Sequence, residues 1–158
     1  MNEESRPSGP WQLVIRFLLI GTSVFALYAN AFSVLAPTYN RMVHWGLLGT
    51  FVYLSYGAKG LARKTPSLPG IALAVLTLIS SVFVILDWES YLERTGLVTG
   101  WELLFGCLMI LLVLEATRRT IGGFLPLLVT LFVLYGIFGQ YAPGIFLHKG
   151  YSLSRLIG

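Results

Sequence analysis

Trp101 to Ile145 reads as two apolar runs separated by a charged knot, Glu115-Ala-Thr-Arg118-Arg119. As one helix, the stretch from Trp101 to Phe138 would reach about 57 Å at about 1.5 Å per residue, nearly twice the roughly 30 Å hydrocarbon core of a bilayer. Two arginines near the centre of that core would cost about 2.5 to 3.5 kcal/mol each. The knot therefore belongs at a membrane surface, and Gly122-Gly123 suits the reversal there. A helical hairpin in lipid follows, and it sets the class of the whole chain.

Composition agrees: 56% of residues are hydrophobic, 11% are charged, and the mean hydropathy is +0.76. That balance excludes an ordinary soluble domain. The expected fold is an all-α, polytopic membrane bundle of four to five transmembrane helices. Its 158 residues leave no room for a folded domain outside the bilayer. The net charge of +4 needs no nucleic acid, since basic residues in short loops on one membrane face account for it. Cys107 alone can form no internal disulfide.

In chain order, residues 1–10 form a polar cytoplasmic tail. Residues 11–139 form the membrane domain, with spans expected over about 11–36, 44–61, 70–86, 101–115 and 121–139. Residues 140–158 form a periplasmic tail or a connector. Ala29-Asn30-Ala31 has the small-x-small pattern of a signal-peptide cleavage site. Glu3 and Glu4 make a poor basic leader, however, and the apolar stretch is long enough to span. Pro37 to Arg41 reads as a turn, as does Thr65 to Gly70 with its two prolines. Thr99-Gly-Trp-Glu102 has the spacing of a capping box directly before the fourth apolar run. Gly46 with Thr50, and Gly70 with Ala74, put small residues four apart, as close helix packing in lipid requires.

Basic residues set the orientation. With the N-terminus cytoplasmic, Arg6, Arg16, Lys59, Arg63, Lys64, Arg118 and Arg119 lie inside. Arg41, Arg94, Lys149 and Arg155 lie outside. Chemistry is sparse. Asp87, Glu89, Glu93, Glu102 and Glu115 fall near span ends or in loops, with Asp87, Glu89 and Glu102 outside and Glu115 inside. Glu115 is spaced to pair with Arg118 and Arg119. His44 and His148 lack neighbours at metal-ligand spacing. No catalytic, cofactor or metal residue is assigned. Thr22, Ser23, Asn30, Thr50, Ser55, Ser80 and Ser81 are expected to bond between packed helices rather than to hold a solute. Glu115, Arg118 and Arg119 are singled out for a contact that fixes topology or binds another subunit.

Leu114 to Arg119, Phe124-Leu-Pro126, Tyr135 to Gly144 and His148 to Leu156 resemble the N-terminal part of fused permeases of tripartite ATP-independent periplasmic (TRAP) transporters, TAXI type. The likeness covers roughly Trp101 to Leu156; the earlier spans match only in number and layout. It implies a small DctQ-like membrane part beside a large DctM-like permease subunit or domain, supplied by a periplasmic solute-binding protein. It also implies uptake of organic acids driven by a sodium or proton gradient, in the bacterial inner membrane. The chain is then a scaffold subunit or the N-terminal portion of one fused permease. A stand-alone channel or exporter, and the anchor of a membrane enzyme, are the other readings.

Overall fold

The computed structural model describes residues 10–32, 36–63, 65–94 and 97–157. Residues 1–9 of the expected tail, and Lys64, lie outside them. Five principal helices follow one another: α1 (Pro10–Phe32), α2 (Pro37–Ser55), α3 (Leu68–Glu93), α4 (Gly100–Ile121) and α5 (Phe124–Phe138). Among the described residues, two short 3-10 turns and a short helix, α6 (Leu153–Ile157), follow. The all-α bundle is as expected, because a chain in lipid must satisfy its own backbone groups and a helix does so locally. Among the described residues, four segments are long and apolar enough to cross a membrane: Pro10–Phe32, Leu68–Glu93, Gly100–Ile121 and Phe124–Tyr141. This is a multi-pass membrane protein.

Several helix ends differ from expectation. α2 starts at Pro37 rather than His44, because proline at the first turn sacrifices an amide that has no intrahelical partner anyway. The expected Pro37–Arg41 turn is thus helical. At its other end α2 stops at Ser55 rather than Leu61. Tyr56 turns extended, and a tight loop closes through Gly57 N to Leu61 O (2.9 Å) and Arg63 N to Ser55 O (2.9 Å). α3 is capped by the Ser67 hydroxyl, which accepts from Gly70 N, and continues through Asp87 and Glu89 to Glu93 instead of ending at Leu86. α4 carries on through the charged knot to Ile121, since pairs three and four residues apart favour a continuous helix. The reversal falls at Gly122, whose φ of +100° favours glycine. The Thr99–Glu102 capping box is present as expected.

α2 is the enclosed helix, although it is not one of the four segments apolar enough to span. Only Pro37 and Arg41 among its residues are exposed. It lies antiparallel to α3, where Gly46 faces Ser81 and Gly49 faces Thr77. A β-carbon on Gly49 would come within 2.7 Å of the Thr77 methyl, and one on Gly70 within 2.6 Å of the Tyr53 carbonyl oxygen. Small residues therefore set the distance between these helices. Tyr53, Leu54, Ala74, Leu112 and Ala116 form the buried cluster where α2, α3 and α4 meet. The α3–α4 hairpin is joined across its face by stacked Phe83 and Phe105, 4.0 Å between centroids.

Thr22, Ser80 and Ser81 do not bond between helices as expected, and the buried Thr50 and Ser55 hydroxyls make no hydrogen bond within the protein. Thr22, Thr77, Ser80 and Ser81 each donate to the carbonyl four residues back in their own helix, at 2.7 to 2.9 Å. The Asn30 amide does the same, to Ala26 O. That carbonyl is always within reach, so the side chain is satisfied without a partner helix and offers its neighbour a small surface.

α5 packs along α4 with Pro126 as its one buried residue. The tail then folds back. The Tyr135 hydroxyl donates to Phe146 O (2.6 Å), Tyr151 N to Gly136 O (2.9 Å), and Gly150 N to His148 Nδ1 (3.0 Å). With Nδ1 accepting, His148 Nε2 is the donor to Tyr135 O at 3.2 Å. His148 lies so close over Gly139, and Ile157 over Gly106, that neither glycine has room for a β-carbon. His148 is thus a staple for the tail.

Replacing Gly49 with leucine should cost about 1 to 3 kcal/mol through overpacking against Thr77 and Trp45. Gly21→Leu, where nothing lies within 4 Å, should cost far less. Thermal unfolding of both variants in mild detergent checks the difference.

Candidate functional site

The charged knot forms a contact between helices distant in sequence. α4 places Glu115, Arg118 and Arg119 on one turn. Glu115 accepts from Arg118 Nε (2.7 Å) and Nη2 (2.9 Å), and from Arg119 Nε (2.7 Å). The two arginines then part company. Arg118 points outward with 44% of its side chain exposed, while Arg119 is buried at 5%. Arg119 Nη1 donates to the carbonyl oxygen of Tyr56 at 3.2 Å, satisfying a backbone acceptor that the end of α2 leaves over. Its guanidinium carbon sits 5.1 Å from the centre of the Tyr53 ring, a cation–π distance. One turn deeper, the Tyr53 hydroxyl donates to Leu112 O at 2.6 Å. A buried cation is thus bound to a carboxylate, a carbonyl and an aromatic face, as burial of charge requires.

A second polar group gathers at the α3–α4 connection. Arg94 bridges Asp87 (3.2 Å) and Glu102, and Glu102 also accepts from the Thr99 amide. Glu102 therefore caps α4 and ties it to the end of α3 with one carboxylate. The hydrogen bond that Arg94 donates to Glu102, reinforced by Asp87, raises the pKa of Arg94 above its ordinary value. These groups edge a groove of about 390 Å³ whose other walls include Phe83, Trp88, Met109 and, from α6, Ile157. Glu102 and Glu115 are thirteen residues apart on α4, or about 20 Å along its axis. The two polar groups thus occupy opposite ends of the helix.

Of the singled-out residues, Glu115, Arg118 and Arg119 come together, and Arg119 alone reaches another helix. The sequence reading missed Tyr53 and Tyr56, which complete the contact from α2. An aromatic near the end of one helix and an arginine near the end of another are too common to pair without a fold. It also placed Asp87 near a span end and Glu102 in the capping box without connecting the two, whereas Arg94 joins them. His44 and His148 are not brought together, and among the described residues no three His, Cys, Asp or Glu side chains gather as a metal site.

Arg119→Ala should destabilise the protein by about 3 kcal/mol, since a buried pair loses one member. Arg118→Ala should cost less than about 1 kcal/mol at its exposed position. Tyr53→Phe should cost about 1 kcal/mol, the loss of one buried hydrogen bond. Unfolding midpoints in one detergent rank the three. Comparison with protein-family models, curated proteins and solved structures finds no match to this chain, so its own residues carry the functional reading.

Proposed function

We propose that the chain is the small, non-moving membrane part of a TRAP-type secondary transporter, holding a large DctM-like permease subunit or domain in the bacterial inner membrane. A periplasmic solute-binding protein would deliver an organic acid, and a sodium or proton gradient would drive its uptake. The observation that carries the reading is α5: Pro126 is its only buried residue, so most of its apolar length is available to a membrane-embedded neighbour. The residues that resemble the family lie on α4, on this helix and on the tail that follows. Two features support a supporting rather than a transporting role. α2 is packed closely by small residues, and α4 is tied to it at Tyr53 and Tyr56. Charged groups lie toward the ends of helices rather than converging midway, where coupling ions and acids are bound in transporters.

Affinity purification of the full chain from membranes should bring down a large polytopic permease, and the purified chain alone in liposomes should pass no organic acid. Solitary, gradient-driven flux would refute the scaffold reading.

A further inference from the structure

The loop between α2 and α3 carries Lys59, Leu61 and Arg63, all exposed. It is held against the last turn of α4. Arg119 binds the Tyr56 carbonyl at one side of the loop, and a β-carbon at Gly60 would lie 3.1 Å from the Arg119 carbonyl oxygen. Lys59 is next to that contact on the loop, and Arg118 is next to it on α4. Lys59, Arg63, Arg118 and Arg119 against Glu115 make four positive charges and one negative, a net of +3. Glu115 is already engaged by both α4 arginines, and Lys59 and Arg63 have no ion pair among the described residues.

Apolar surface lies directly beside these charges. Leu61 stands 68% exposed between Lys59 and Arg63 in sequence, and Ile121 and Phe124 flank the α4–α5 reversal at 72% and 79%. A soluble anion would use the cations and leave this apolar surface bare. A phospholipid uses both, with its phosphodiester on the cations and its acyl chains on Leu61, Ile121 and Phe124.

We infer that this end of the bundle is a binding site for an anionic phospholipid, built from Lys59 and Arg63 of the α2–α3 loop and Arg118 of α4. Arg119 is a positioning residue: it is buried, and it holds the loop in place rather than reaching the headgroup. The inference rests on the membrane fold alone and does not depend on the transporter reading.

The full chain is purified and offered an equimolar mixture of phosphatidylglycerol and phosphatidylcholine, and the retained lipid is counted by native mass spectrometry. Phosphatidylglycerol should be preferred. Lys59→Gln and Arg63→Gln should each cut that preference about fivefold. Arg41→Gln removes an exposed cation at the opposite end of α2 and should leave it unchanged. Unfolding midpoints in phosphatidylcholine should match for all variants, which separates lost lipid from lost fold. Equal retention of the two lipids, or a full preference in the Lys59→Gln/Arg63→Gln double variant, would overturn the site. So would displacement of phosphatidylglycerol by millimolar glycerol phosphate, since the acyl chains would then contribute nothing.

Discussion

Lipid is as apolar as leucine, so helices within it gain little by hiding hydrophobic side chains from one another, and close contact must hold them together. In this protein that contact is the α2–α3 seam. Gly46 and Gly49 give α2 a flat strip on which Thr77 and Ser81 rest, and Gly70 lets the start of α3 approach the Tyr53 carbonyl. The Thr77 and Ser81 hydroxyls of α3 are satisfied within their own helix, whereas the buried Thr50 and Ser55 hydroxyls of α2 make no hydrogen bond within the protein. α1 also lies against α2, and α4 closes the end where Tyr53 sits. The order of the bundle follows from which helix could be approached most closely.

This also explains how charge is distributed. Each polar group in the hairpin serves two elements. Glu102 caps α4 and binds the arginine at the end of α3, while Arg119 closes on its own helix through Glu115 and on α2 through Tyr56. Placing such groups at helix ends satisfies leftover backbone donors and acceptors where they occur. It also leaves the middle of the bundle to small and apolar side chains.

Sequence alone revealed what depends on near neighbours. The capping box at Thr99 and Glu102, the turn at Gly122, the Glu115 pairs and the four-residue spacing of small side chains are all local patterns, and each is present. The end of α3 was misplaced because Asp87 and Glu89 resemble loop residues, and the pairing of Asp87 with Arg94, which lies past the end of the helix, shows only in the fold. α2 was harder to read for another reason. Hydropathy measures how well a helix suits lipid, and α2 meets little of it; Asn40 and His44 are themselves half-buried. The link from Arg119 to Tyr56 spans 63 positions, and no local rule reaches so far.

The paired attachments of α4 have a mechanical consequence. Leu112 accepts from Tyr53, and Arg119 donates to Tyr56. Two pegs seven residues apart on one helix, about 10 Å, engage two holes three residues apart on another. Sliding α4 by a single residue would turn both pegs by about 100° and disengage them together. The helix is therefore indexed in height and in rotation at once, like a key seated in its keyway, and whatever leans on it meets a surface that does not creep.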